Sequence, residues 1–174
     1  MTTLAEHRLQ AVPDRRVIEL YDADAYVGTS AVLDQLDEHV VAGDGYHLYI
    51  GSLQSGVGVN VTIRVHNTPP ATWPPADGST ELTLECATGT LVVGEFTAGV
   101  AGEVELPRPG VYRVRASWQG RESTAHQASA IRMRAVEEQW SRAATRQALD
   151  AIAGSEAYCF DMWYLHEPED DDTE

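Results

Sequence analysis

Residues 45–67 read GYHLYIGSLQSGVGVNVTIRVHN and indicate the fold most clearly. Apolar residues alternate with polar ones or glycine along both arms of this stretch: Tyr46, Leu48 and Ile50 on the first arm, and Val57, Val59, Val61, Ile63 and Val65 on the second. A period of two residues is typical of β-strands that face a core on one side only. Because glycine and serine separate the arms, the sequence predicts two strands paired as a hairpin.

Two later stretches extend this pattern. Residues 80–99 (TELTLECATGTLVVGEFTAG) predict a second pair of strands, and residues 102–118 (GEVELPRPGVYRVRASW) predict a strand that begins after a Pro-Gly turn. A tyrosine such as Tyr112, just inside a strand after a turn, often donates a hydrogen bond back to that turn in sandwich folds. Several short strands separated by turn signals predict a mainly β fold, an antiparallel β-sandwich.

Residues 128–153 depart from the strand pattern (ASAIRMRAVEEQWSRAATRQALDAIA). The segment is rich in alanine, contains no proline and is followed by Gly154, so it predicts one long α-helix inserted before the last strand. Its apolar residues recur at helical spacing: Ile131, Ala135, Trp140, Ala144, Ala148 and Ile152. We expect this apolar stripe to pack either on the sandwich or on a partner protein. The neighbouring row of charged residues, with Arg142 and Arg146, is either a solvated face or a surface that binds a partner.

The last strand is predicted over residues 156–165 (EAYCFDMWYL). Both of its faces are largely apolar, which is typical of an interior strand. Asp161 is the exception, and a buried carboxylate needs a hydrogen-bonding or arginine partner. Arg113 and Arg115 are candidate partners if their strand lies alongside. We therefore interpret Asp161 as a structurally paired carboxylate in preference to a catalytic one.

We expect three regions: a polar leader over residues 1–16, one β-sandwich domain over residues 17–166 that includes the helix, and a disordered acidic tail over residues 167–174. The chain has neither a secretion-type start nor the run of about 20 apolar residues that a membrane-spanning helix needs. Cys86 and Cys159 lie in apolar runs and are expected to be small buried residues rather than a disulfide. These features predict a cytoplasmic protein.

The composition limits the kind of partner. The formal net charge is −15, from 27 acidic and 12 basic residues, and every basic residue is arginine. Such acidity argues against nucleic acid and anionic membranes as partners, and it permits a basic protein. Residues 108–146 hold eight of the arginines and only three acidic residues. This asymmetry predicts either opposed surface patches or one solvated surface with scattered charge.

No catalytic or metal-binding motif stands out. The sequence lacks phosphate-binding glycine loops, CxxC, HExxH and GxSxG patterns, and its six histidines are scattered. Asp22 and Asp24 in YDADAY make only a weak calcium signal. We therefore expect no cofactor, no metal and no enzymatic activity.

Three stretches together resemble a known family: VIELYDADAYV (17–27), LPRPGVYRVRASW (106–118) and EAYCFDMWYL (156–165). They are similar to the competence protein J family of small acidic bacterial β-sandwich proteins, whose namesake is a nuclease inhibitor. The resemblance spans residues 17–122 and 155–166, and the chain departs from the family pattern by inserting the long helix. It implies a β-sandwich fold and intracellular nuclease inhibition, and it transfers no functional residue.

Three functions follow as hypotheses. The first is a non-catalytic, acidic binding protein that inhibits or neutralises a basic partner such as a nuclease or toxin. The second is an assembly module that docks through the helix on a second copy or on a larger complex. The third is a hydrolase or small-ligand binder in a cleft near His47 and Asp161. The candidate partner-binding residues are Trp140, Arg142, Arg146, Asp22, Asp24 and Asp161.

Overall fold

The computed structural model describes residues 2–25 and 28–168. Within these residues the chain is mainly β, with ten strands and three α-helices. The strands are β1 (Thr3–Ala11), β2 (Val17–Asp22), β3 (Val41–Gly43), β4 (His47–Gly51), β5 (Val59–His66), β6 (Gly78–Cys86), β7 (Thr90–Gly94), β8 (Val100–Glu105), β9 (Gly110–Gln119) and β10 (Ala157–His166). The helices are α1 (Ser30–Asp34), α2 (Arg121–Glu137) and α3 (Arg142–Asp150).

The strands form two five-stranded sheets that enclose one core. The first sheet has the order β1-β5-β10-β9-β6, and the second has the order β3-β4-β2-β7-β8. The mainly β prediction is confirmed, but the first sheet is not purely antiparallel, because β10 pairs in parallel with β5. Parallel neighbours need a long connection, and residues 67–156 provide it.

Both predicted hairpins are wrong. Strands β4 and β5 lie in opposite sheets, and so do β6 and β7. The residues between them, 52–58 and 87–89, carry the chain from one sheet to the other. The alternation of apolar residues indicates which side of a strand faces the core. This part of the prediction is confirmed for β5. Its four inward residues are at most 1% exposed: Val59, Val61, Ile63 and Val65. The identity of the neighbouring strand is not contained in that pattern.

The predicted polar leader is instead an edge strand. β1 pairs along β5, from Thr3 opposite His66 to Ala11 opposite Val59. Its outward residues are exposed while Ala5 and Leu9 pack against the core. An edge strand with one solvated face is polar overall, which explains why composition suggested a leader. Of the predicted acidic tail, residues 169–174 lie outside the described residues.

The predicted single helix is two helices. α2 begins at Arg121, earlier than expected, and α3 begins after a break at residues 138–141. In this break Gln139 has a left-handed backbone (φ 55°), and the Ser141 hydroxyl accepts a hydrogen bond from the Ala144 amide at 3.1 Å. Serine is strongly favoured at the N-cap position, so a second helix begins here, whereas the alanine content alone predicted one continuous helix. None of the helices described is long and apolar enough to cross a membrane.

The predicted tyrosine–turn contact is present. The Tyr112 hydroxyl donates to the Arg108 carbonyl oxygen at 2.6 Å, and Tyr112 is 1% exposed. This bond connects the turn before β9 to the first inward residue of that strand.

We expect Tyr112→Phe to lower the free energy of unfolding by about 1 kcal/mol, because it removes one hydrogen bond and keeps the ring. Urea unfolding followed by fluorescence measures the change. Tyr164→Phe is the matched control, since the Tyr164 ring packs edge-on against Tyr112. Equal stability of Tyr112→Phe and the wild type would contradict a stabilising role for the bond.

Candidate functional site

Charge is divided between the two sheets. The strands of the second sheet contain four acidic residues and no arginine, whereas the strands of the first contain four of each. Residues 17–58 and 87–107, which contain every strand of the second sheet, hold ten acidic residues and no arginine, while Arg15 and Arg16 lie in the turn that leads into β2. The asymmetry of the sequence therefore becomes a difference between the two sides of the protein.

Four residues on the outer surface of the second sheet define what we call the acidic face: Glu19, Tyr21, Glu103 and Glu105. Tyr21 lies opposite Val92, which lies opposite Glu103, so Tyr21 and Glu103 share one side of the sheet. Glu105 lies opposite Thr90, whose hydroxyl donates to Glu105 Oε1 at 3.0 Å. Glu103 and Glu105 are exposed on the edge strand β8.

The pKa shifts on this face come mainly from burial. Burial raises the pKa of Glu19. Burial also raises the pKa of Tyr21, and the nearby Glu19 and Glu103 carboxylates raise it further. A cation placed among these groups would relieve their mutual repulsion. The acidic face is thus suited to accept arginine or lysine side chains.

A stack of aromatic rings adjoins the acidic face. His47 lies between Tyr21 and Tyr49, with ring centroids 4.8 and 5.6 Å apart. Burial lowers the pKa of His47, although the Asp44 carboxylate acts in the opposite direction. Burial, assisted by the charges of Glu19 and Asp44, raises the pKa of Tyr49 to about 12. The stack gives Tyr21 a rigid support.

Asp161 is paired inside the first sheet. Arg64 donates to both carboxylate oxygens, from Nε at 2.8 Å and Nη2 at 3.0 Å, and His66 Nε2 lies 2.7 Å from Oδ1. The side chain is 1% exposed. Beside it, burial raises the pKa of Cys159 to about 12, with the Asp161 charge as a second cause. Asp161 is therefore a structurally paired carboxylate.

The partners of Asp161 differ from those expected. Arg115 lies opposite Asp161 on β9, but its guanidinium donates to Ser79 Oγ at 2.9 Å and covers the Trp73 ring. The arginine and histidine that pair with Asp161 come from β5, the parallel neighbour. His47 lies on the second sheet, so the predicted cleft between His47 and Asp161 does not exist, and the sandwich core separates the two residues.

The remaining predicted site residues lie in two places. Trp140, Arg142 and Arg146 line one surface pocket of about 570 Å³ on α3. The Trp140 indole donates to Glu138 Oε2 at 2.8 Å, and Arg146 pairs with Asp150 at 2.8 Å. No group of three histidine, cysteine, aspartate or glutamate residues within 2–25 and 28–168 is placed to hold a metal ion.

The two aspartates of YDADAY have different environments. Asp22 is 1% exposed and accepts hydrogen bonds from the amide and hydroxyl of Thr88, at 3.0 and 2.8 Å. It fastens the turn between β6 and β7. Asp24 is exposed just beyond the end of β2. Only Asp24 of the pair is available to a partner at the surface.

Sequence reasoning missed one buried acid, Glu156. It is fully buried and accepts hydrogen bonds from Ser52 Oγ (3.1 Å), from Gln54 Nε2 (3.0 Å) and from the Tyr158 hydroxyl. These bonds fasten the loop 52–57 to the start of β10. Nothing in the sequence distinguishes Glu156 from the many exposed acids, because two of its partners, Ser52 and Gln54, lie about a hundred positions away in the chain.

The architecture is that of a β-sandwich with two helices at one end. Two solved structures are similar to this fold: ComJ from Bacillus subtilis, described as an inhibitor of the DNA degrading activity of NucA, and a protein described as crocagin biosynthetic gene J. ComJ aligns with a TM-score of 0.55 and 10% identity over 94% of this chain and 98% of its own. The crocagin protein aligns with a TM-score of 0.52 and 17% identity over 95% and 100%.

No family model and no curated protein sequence matches the chain. The resemblance to competence protein J that the sequence suggested is therefore confirmed as a likeness of fold. At these identities the likeness assigns no role to any residue. The function has to be argued from the surfaces of this chain.

We expect Asp161→Ala to lower the free energy of unfolding by about 3–5 kcal/mol, because Arg64 and His66 lose their common partner inside the sheet. Urea unfolding measures this loss. Arg113→Gln, which changes one of the two partners that the sequence suggested, should cost less than about 0.5 kcal/mol. Similar costs for the two variants would show that Asp161 does not anchor β10.

The lowered pKa of His47 predicts a pH-dependent stability. Because the unfolded histidine binds a proton near pH 6.5 and the folded one binds it only at lower pH, the stabilisation is complete above pH 6.5 and is lost as pH falls. The effect is at most about 1.4 kcal/mol per pH unit. Unfolding at several pH values should show a shallower slope in both His47→Phe and His47→Gln; an unchanged slope in both would contradict this assignment.

Proposed function

We propose that this protein is a non-catalytic binding protein that inhibits a basic protein partner through its acidic face. The observation that carries the proposal is the arginine-free second sheet, on whose outer surface Glu103 and Glu105 are exposed near Tyr21. Carboxylates on a rigid sheet keep their spacing when a partner approaches. Their combined field speeds the encounter with a basic protein and orients it.

A nuclease is the partner class that fits this chemistry. A protein that holds nucleic acid must present a basic surface to the phosphates. The acidic face offers negative charge to the same surface and so competes with the nucleic acid. Tyr21 adds a large, rigid contact of the kind that often anchors interfaces. The description of ComJ as an inhibitor of a DNA-degrading activity supports this choice.

Two observations support a role without catalysis. Arg64 and His66 hold both carboxylate oxygens of Asp161 and the side chain is 1% exposed, so a substrate has no direct access to this carboxylate. The raised pKa of Cys159, about 12, keeps its thiol neutral near pH 7, and a neutral thiol is a poor nucleophile. A cytoplasmic location remains part of the proposal.

The proposal is tested by capture from a lysate of the native host with the wild type and with Glu103→Gln/Glu105→Gln. The wild type should retain a basic protein at low salt and release it at high salt, because screening weakens attraction between exposed charges. The double variant should bind that protein at least about tenfold more weakly, equivalent to about 1.4 kcal/mol. The captured protein is then assayed for DNA degradation with and without added wild type.

Glu6→Gln/Glu81→Gln is the matched control, since it removes the same charge from exposed positions of the first sheet. It should bind like the wild type. Equal weakening by both double variants would assign binding to net charge alone. A salt-resistant partner, or one whose DNA-degrading activity is unaffected, would overturn the proposed inhibition.

A further inference from the structure

Three strained residues meet at one end of the second sheet. Arg15, Arg16 and Phe96 have left-handed backbones, with φ of 49°, 65° and 51°. Such angles are unfavourable for residues with side chains and are retained mostly where the surroundings or a function require them. All three residues line the same cavity, which has a volume of about 590 Å³. In the part of the chain that the structure describes, Gln139 is the only other non-glycine residue with a positive φ, and it lies in the break between α2 and α3. The strain is therefore concentrated at this cavity.

Hydrogen bonds on both sides hold these strained turns in place. Asp14 Oδ2 accepts from the Thr97 amide at 3.0 Å and from the Thr97 hydroxyl, which joins the turn before β2 to the turn after β7. On the other side, the Arg16 amide donates to Ser55 Oγ at 2.9 Å, and the Arg16 carbonyl oxygen accepts from the Ser52 amide at 2.8 Å. A wall that is already ordered loses little conformational entropy when a ligand binds. The cavity is thus formed in advance of any ligand.

The floor of the cavity is apolar. The cavity lies across the end of the second sheet at which β2 and β3 begin and β4 and β7 end. Four of its lining residues also pack in the small hydrophobic cluster at this end: Val17, Leu33, Leu36 and Phe96. Binding sites for small molecules typically have volumes of roughly 300–1,000 Å³, a mainly apolar lining and a few polar groups that fix orientation. This cavity has the volume and the lining of such a site.

Three arginines supply the polar groups. Arg15 and Arg16 line the cavity from the turn before β2, and Arg121 lines it from the start of α2. Arg121 Nε donates to the Gly51 carbonyl oxygen at 2.7 Å, so this guanidinium is held beside the cavity. Among the described residues, none of the three arginines forms an ion pair with a carboxylate. Their charge is therefore not neutralised by direct contact, although the chain holds 27 acidic residues.

The acidic residues around the cavity do not compensate this charge directly. The hydrogen bond from Thr97 lowers the pKa of Asp14, and the charge of Arg15 adds a smaller contribution. Asp37 and Glu38 also line the cavity, but they belong to the turn that precedes β3. Since β4 lies between β3 and β2 in the sheet, these two acids approach the cavity from the side opposite to the turn before β2. An anionic group is thus attracted to one side of the cavity and repelled by the other.

We propose that this cavity binds an organic anion, a small molecule with an apolar body and a carboxylate or phosphate head. The body packs on the apolar floor that contains Val17, Leu36 and Phe96, and the head binds the arginine guanidinium groups. Guanidinium forms paired, charge-assisted hydrogen bonds with carboxylate and with phosphate oxygens alike. A neutral molecule of the same shape leaves these groups to water, and a cation meets like charge. The cavity is separate from the acidic face, so the proposal does not depend on the proposed inhibition.

Three probes with one apolar body and different heads test the proposal by isothermal titration calorimetry. Octanoate and octyl phosphate carry the anionic heads and 1-octanol is neutral, and all are used at concentrations below micelle formation or phase separation. At least one anion should bind at least about tenfold more tightly than 1-octanol, because hydrogen bonds to charged groups add to the shared apolar contact. The tighter of the two anions identifies the head as carboxylate or phosphate. Anions that bind no more tightly than 1-octanol would overturn the proposal.

Two double variants assign the binding to this cavity. Arg15→Gln/Arg16→Gln should weaken binding of the tighter anion at least about tenfold and leave the affinity for 1-octanol unchanged. Arg108→Gln/Arg142→Gln is the matched control, since it removes the same charge from exposed positions outside the cavity, and it should bind like the wild type. Equal weakening by both variants would assign binding to net charge, and undiminished binding in Arg15→Gln/Arg16→Gln would place the anion elsewhere. Either result overturns the proposal.

Two further variants test the orientation of the head and the independence of the site. Asp37→Asn/Glu38→Gln removes the opposing charge on the β3 side and should bind the anion at least as tightly as the wild type. Weaker binding by this variant would overturn the proposed position of the head. Circular dichroism confirms that each variant is folded. Glu103→Gln/Glu105→Gln should bind the anion like the wild type, which separates this result from the proposed inhibition.

Discussion

The pairing of Asp161 with Arg64 and His66 is the constraint on which the first sheet depends. Strand β10 is the centre of that sheet, and the Asp161 side chain on it is 1% exposed, so this carboxylate is removed from water. The free-energy cost of desolvating an unpaired carboxylate is as large as or larger than the net stability of most domains. The bidentate arginine and the histidine, both from β5, offset that cost and at the same time favour the parallel register of β5 and β10. Helices α2 and α3 belong to the connection that returns the chain to this position.

The same arrangement determines where charge can lie on the surface. The first sheet requires Arg64 beside its central strand, and it also holds Arg8, Arg113 and Arg115. In the second sheet the buried carboxylate of Asp22 accepts its hydrogen bonds from Thr88 instead, and the strands of that sheet contain no arginine. Glu19, Glu103 and Glu105 therefore have no arginine on their own sheet. The distribution of arginine between the two sheets thus depends in part on how each buried carboxylate is paired.

Much of the fold could be predicted from local patterns, because burial on one side of a strand leaves a period of two in the sequence. The inward residues of β5 and the interior position of β10 were predicted in this way. The sheet to which each strand belongs was not, since β4 and β5 alternate in the same manner whether they pair or cross between sheets. The sequence predicted that Asp161 is paired with another side chain. It did not predict Arg64 and His66 as the partners, because they lie about a hundred residues away in the chain. The acidic face was missed for the same reason: its members come from β2 and β8, far apart in sequence.

The division of charge bears on how the proposed partner would bind. A basic protein of the kind proposed would be attracted to the second sheet and would meet mixed charge on the first, so the division of charge would favour one orientation of that partner.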